Sequence, residues 1–107
     1  MKKGMTKVSV FYPNGEGKTF DMDYYINKHM PLIAALLGDV LKTTTIEKGL
    51  GGAAPGSTAP FAAMGNMYFD SVKGFGKAFS PNAKKIMGDL PNFTNIEPVV
   101  QISEVLA

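Results

Sequence analysis

A chain of 107 residues, 45% of them apolar, with 11 basic and 9 acidic groups and a net charge of +2, has room for one hydrophobic core, since domains of roughly 100–150 residues are the common unit; one domain over residues 1–107 is expected. It has no cysteine, which excludes disulfides, thiolate nucleophiles and cysteine-based zinc sites, and its basic residues are all lysines, against the bidentate arginine contacts on which nucleic-acid surfaces rely. The strongly apolar run around Pro31–Leu37 falls far short of the ~20 residues that cross a bilayer, and MKKGMTKVSV lacks the apolar stretch and cleavage site of a secretory leader, so no membrane partner and a cytoplasmic location are expected.

Lys7–Tyr12 (KVSVFY) alternates β-branched and aromatic residues with polar ones ahead of the turn-forming PNGEG, and is the first predicted strand. A helical period starts at Asp21, whose carboxylate suits the N-cap, and Asp23 adds favourable charge to the first turn. Pro31 has no N–H for a helix interior and predicts a break or kink near Met30, with PLIAALLGDV continuing to Gly38. Lys42–Lys48 (KTTTIEK) reads as the second strand, and Gly49–Pro60 as a long mobile loop too rich in glycine and proline for regular structure. Phe61–Phe69 (FAAMGNMYF) is the third strand. Asp70 or Ser71 is placed to cap a second helix that carries Phe75 and Phe79 one turn apart, is interrupted at Pro81 and resumes through Ile86 and Leu90. IEPVVQISEV closes the chain as the fourth strand, with Pro98 at its start or on an edge.

The order β-α-β-β-α-β is that of a ferredoxin-like α+β protomer, an antiparallel sheet with its helices on one face. Both sheet faces carry apolar residues: Val8, Val10 and Tyr12 against Phe11 on the first strand; Phe61, Met67 and Phe69 against Met64 and Tyr68 on the third; Val99 and Val105 against Val100 and Ile102 on the fourth. Two helices cover one face, so a second copy of the sheet is expected on the other, making a homodimer.

The single histidine, His29, lies in FDMDYYINKHMPL. Helical spacing puts Met22, Tyr25, Ile26 and His29 on one apolar face and turns Tyr24 and Lys28 elsewhere. An imidazole beside a phenol serves as general acid or base near neutral pH; equally, it fills a core position with its nitrogens satisfied by a backbone carbonyl or by Tyr25. Phe75 and Phe79 either line a cavity or pack as core. One histidine with scattered Asp21, Asp23 and Asp39 has no metal-ligand spacing, and GLGGAAPG opens no helix and lacks the lysine-threonine ending of a phosphate loop. Asp89, beside Leu90 and Pro91, reads as an exposed helix-end residue.

FDMDYYINKHMPL, YPNGEGKTF and GKAFSPNAKKIMGDLPNFTNIEPVVQISEV together resemble the EthD family, named from an ethyl tert-butyl ether degradation cluster and part of the dimeric α+β barrel superfamily. The resemblance spans nearly the whole chain and implies a ferredoxin-like protomer that dimerises through its sheet. The wider superfamily includes cofactor-free monooxygenases, decarboxylases, cyclases and isomerases of aromatic or hydrophobic acids, along with members of no known activity. The family's motif tyrosine and histidine match Tyr25 and His29; some members carry histidine where this chain has Asn82. The expectation that follows is a small protein of degradative metabolism. Its apolar pocket would be lined by Met22, Ile26, Phe75 and Phe79, would take a small hydrophobic molecule and would use no cofactor or metal. Either His29 and Tyr25 transfer protons there, in chemistry of the oxygenase, decarboxylase or isomerase type on a hydrophobic or aromatic acid, or the protein is a non-catalytic binder or accessory protein in which His29 is structural.

Overall fold

The computed structural model describes residues 2–107. Four strands, β1 (Thr6–Pro13), β2 (Thr43–Lys48), β3 (Phe61–Phe69) and β4 (Val99–Glu104), pair antiparallel in the order β2-β3-β1-β4. Two helical stretches, one between β1 and β2 and one between β3 and β4, complete the ferredoxin-like α+β arrangement.

The first stretch consists of α1 (Met22–Tyr24), a π-helical turn at Tyr25–His29 and α2 (Met30–Leu37). Asp21 caps it, its Oδ1 accepting from the Tyr24 N–H at 3.1 Å. The expected break at Met30 is replaced by the π turn, in which the Met30 N–H donates to the Tyr25 carbonyl. Pro31 has no N–H to give and its ring crowds the turn before it; the wider turn absorbs both defects and the helix continues.

The second stretch is capped by Ser71, whose Oγ accepts from the Gly74 N–H at 3.0 Å, and runs through α3 (Val72–Phe79), a 3-10 turn at Ser80–Asn82 that accommodates Pro81, and α4 (Ala83–Gly88). A further 3-10 turn, Leu90–Asn92, bends the chain beyond Gly88 before the expected helix reaches Leu90. Asn82 joins the two stretches: its Nδ2 donates to the Ala78 carbonyl at 2.8 Å and to the Leu36 carbonyl at 3.4 Å.

The helix-facing side of the sheet presents Val8, Tyr12, Ala63, Met67 and Phe69 to Ile33, Leu37, Ile86 and Phe93. Phe61 departs from the expected pattern. A register shift between Tyr12 and Pro13 pairs Pro13 with Phe61, and the bulge turns the Phe61 ring to the outer face, 5.4 Å from that of Phe11. The outer face is also less uniformly apolar than expected. Ser9, Thr45, Asn66 and Gln101 form a row across its four strands, and Asn66 Nδ2 donates to Glu47 Oε1 at 2.7 Å and Thr45 Oγ1 at 3.2 Å. Phe11, Met64 and Val99 lie beside this polar centre. No described helix is long and apolar enough to cross a membrane.

Candidate active site

Between the helices and the sheet lies a cavity of about 410 Å³. Val8, Val10 and Tyr12 of β1 with Gly65 and Met67 of β3 make its floor, and Tyr25, His29 and Ile33 overhang it. Phe75 and Phe79, stacked at 5.3 Å and 24°, line it from α3, while Met87, Pro98 and Val100 stand towards the open β4 edge. Its surface is almost wholly apolar.

Two of the residues expected to line a pocket do not. Ile26 is 46% exposed, and Met22 packs half-buried against the core outside the cavity. The π turn is the cause: its smaller rotation per residue swings His29 back over Tyr25 and leaves Ile26 further from the shared face than a regular α-helix would.

The tyrosine that follows helical spacing is not the hydrogen-bond partner of the histidine. Tyr25 lies under the imidazole as a stacked ring, 5.6 Å away at 18°, and Phe93 closes the other approach at 4.6 Å. The partner is Asp89, whose Oδ2 lies 2.9 Å from His29 Nδ1. Its other oxygen, Oδ1, accepts from Tyr24 Oη at 2.7 Å and from Asn92 Nδ2 at 2.9 Å. Asp89 is thus not the exposed helix-end residue expected of it: its side chain is 12% exposed, because the turn at Leu90–Asn92 aims it back towards the first helix. Tyr24, expected to point away, reaches the same carboxylate.

Burial pushes the His29 pKa below 6.5, against the opposing pull of Asp89. Burial would raise the Asp89 carboxyl, but the hydrogen bonds from Tyr24, Asn92 and His29 outweigh it and hold the group below 3.8. At neutral pH the pair is therefore a neutral imidazole and a carboxylate. Because a carboxylate only accepts, the imidazole proton sits on Nδ1 and Nε2 keeps its lone pair. His29 is 2% exposed, yet no described buried side-chain nitrogen or oxygen lacks a partner. Its hydrogen bond is made through Nδ1, which leaves Nε2 without a partner in the protein, and the ring lines the cavity. Tyr12 and Tyr25 meet edge to face at 5.6 Å. Burial raises the Tyr12 phenol far above its ordinary value and pushes Tyr25 up to about 12, although the nearby Tyr12 hydroxyl offsets part of this. Both are neutral donors in water near pH 7. Among the described residues no three His, Asp or Glu side chains gather as metal ligands.

The sheet order and the helical layer on one face, with a cavity between them, define a ferredoxin-like α+β protein. An EthD domain model matches residues 14–97, and the chain belongs to the EthD domain family. It is similar to an EthD-like protein from Ralstonia eutropha JMP134, with 44% identity, 99% of this chain and 96% of that one covered, and a TM-score of 0.93. A dimeric protein of ferredoxin-like fold from Bacteroides fragilis NCTC 9343 (15% identity, 97% and 99% covered, TM-score 0.58) and the hydroxynitrile lyase from Passiflora edulis (20%, 97% and 95%, 0.59) share the fold. No curated protein matches the chain.

Proposed function

We propose that the chain takes a small hydrophobic molecule into the helix–sheet cavity and exchanges a proton with it through His29, without a cofactor. One observation carries this reading: a neutral imidazole, oriented by Asp89, sits on a largely apolar wall with Nε2 as its unpartnered atom. A carboxylate behind the imidazole fixes the tautomer and stabilises the imidazolium formed when Nε2 accepts a proton, and an apolar cavity excludes the water that would compete. Isomerisation, decarboxylation and cofactor-free oxygenation of an activated ring or carbonyl compound all include such a proton step. The lyase from Passiflora edulis is an enzyme on the same fold, which supports the reading at the level of fold.

A second reading, a non-catalytic binder, is favoured by the near-complete burial of His29; the dyad then serves to join the first helix to the turn after α4. The two separate on one experiment. A compound that co-purifies is identified by mass spectrometry, then returned to the protein in D2O. Deuterium entering it with the wild type and not with His29→Gln, at equal binding, is the expected result; equal binding without exchange by either protein leaves the binder.

A further inference from the structure

Resting on that reading of the cavity as the binding site, we infer that its ligand is an uncharged carbonyl compound, held at its oxygen by the Tyr12 and Tyr25 hydroxyls, and that carboxylated analogues are rejected. The resemblance to the superfamily implies an aromatic or hydrophobic acid, but this wall is unsuited to one. The chain has 11 lysines, and among the described residues none lines the cavity. The fixed charges acting on its polar groups are negative: the Asp89 carboxylate 2.9 Å behind the imidazole and Glu47 on Tyr25. A ligand carboxylate would leave water for an apolar wall that offers no cation, with Asp89 repelling it through the neutral ring.

What the wall does offer is specific. Tyr12, Tyr25 and His29 are the described lining residues with polar side chains. The two hydroxyls lie within reach of one hydrogen bond to each other, and neither is a buried atom without a partner. With one phenol donating to the other, the pair keeps one O–H for a ligand, so the cavity presents one neutral donor backed by a second hydroxyl, and one unprotonated nitrogen. A carbonyl oxygen meets the phenol pair and an adjacent acidic C–H meets the nitrogen. The step closes on itself. The α C–H bond breaks, its proton goes to His29 Nε2, and its electron pair forms the C–C double bond as the carbonyl π pair moves to oxygen. The phenol pair donates its free O–H to the enolate oxygen, and the imidazolium returns a proton to carbon. No oxidant or co-reactant enters.

Phenylacetone and phenylpyruvate test this, since they share a benzyl ketone and differ in carrying a methyl or a carboxylate group on the carbonyl. Dissociation constants are read by NMR titration, and deuterium at the benzylic carbon is followed in D2O against buffer. Phenylacetone is expected to bind at least tenfold more tightly and to exchange faster than in buffer. Tyr12→Phe and Tyr25→Phe should weaken phenylacetone several-fold and leave propylbenzene, which has no oxygen, unchanged. Equal or tighter binding of phenylpyruvate overturns the inference, as does failure of phenylacetone to bind at millimolar concentration or an equal loss of propylbenzene in the Phe variants. Selective binding of phenylacetone with no exchange upholds the uncharged ligand while overturning proton transfer, so the two fail separately.

Discussion

Gly65 of β3 and the hydroxyl of Tyr25 occupy adjoining space so tightly that a Cβ at position 65 would collide with the phenol oxygen. The tyrosine ring crosses from the π turn to the sheet, and the absence of a side chain at 65 lets its hydroxyl end lie against the strand. Gly65→Ala should cost about 1–3 kcal/mol, the usual price of overpacking, read as a lower urea midpoint. The closest atom is the oxygen, so adding Tyr25→Phe to Gly65→Ala should recover part of the loss. Additive losses in the double variant would show that the alanine acts elsewhere.

Stability should fall on the acid side in two stages. The folded His29 has a pKa below 6.5, so as the pH drops through 6.5 the unfolded chain takes up a proton that the folded chain refuses, and folding loses free energy until the folded imidazole itself protonates. Asp89, held below 3.8 in the fold, adds a loss of the same sign as the pH drops through 3.8. The titratable groups around the imidazole are Asp89, Tyr25 beneath it and Tyr24 through the carboxylate, and both phenols stay protonated in this range. With one histidine in the chain, a single imidazole Cε1–H resonance reports its pKa directly. A value above 6.5, or stability that rises from pH 7 to 5, would mean that Asp89 outweighs burial.

Local residues made most of the fold legible. Phe61–Phe69 is an apolar and aromatic run of strand length and is a strand, and Asp21 and Ser71 cap the helices because a short side-chain oxygen there meets an unpaired N–H. Long-range features were not legible. His29 and Asp89 are 60 residues apart, and nothing local says that the turn after α4 aims a carboxylate at the first helix. The DLPN segment held a faint signal, since Asp89 and Asn92 are spaced to bond each other. Ile26 lies off the expected face because regular helical spacing does not foresee the π turn at Tyr25–His29, and Phe61 does because spacing along a strand does not show a bulge; nothing local separates Met22 from the cavity-lining residues.

The outer sheet face should be covered by a second copy. Phe11, Phe61, Met64 and Val99 stand on it, Val99 being 54% exposed, and a stable pair needs roughly 1,600 Å² of buried surface. Light scattering is expected to give twice 11.5 kDa. The row of Ser9, Asn66 and Gln101 lies in the middle of that face, so Asn66→Asp, which replaces the donor to Glu47 by a second carboxylate, should shift the equilibrium towards monomer. A wild-type monomer at micromolar concentration removes the proposed dimer.

The β2–β3 connection should divide sharply in hydrogen exchange. Residues 50–58 are exposed throughout, whereas its base is tied: the Gly49 N–H donates to the Ala62 carbonyl at 3.0 Å, and Asn14 donates to the Pro60 and Ala59 carbonyls at 2.9 and 3.2 Å. Fast exchange across the tip with protection at Gly49 and Asn14 is expected. Uniform protection would place the tip in an interface.

Substitutions around Asp89 separate a dyad that tunes His29 from a tie that merely joins two helices. Asp89→Asn keeps an oxygen able to accept from Nδ1 but removes the charge that holds the His29 pKa up against burial. The imidazole resonance should therefore titrate at still lower pH, and any proton exchange catalysed by Nε2 should slow with it. Tyr24→Phe removes one donor from Asp89 Oδ1 and leaves the contact with His29 in place, so the carboxylate becomes more basic and the His29 pKa should change little. His29→Gln retains an amide that can donate to Asp89; the loss should stay near the ~1 kcal/mol of one neutral hydrogen bond, with ligand binding intact. Asp89→Ala strands the Tyr24, His29 and Asn92 donors together and should be the most destabilising of the four, by about 2–3 kcal/mol, most of it from the buried imidazole N–H. If Asp89→Asn and Asp89→Ala destabilise equally and the imidazole pKa is the same in Asp89→Asn as in wild type, the carboxylate acts as a structural tie and does not tune the base.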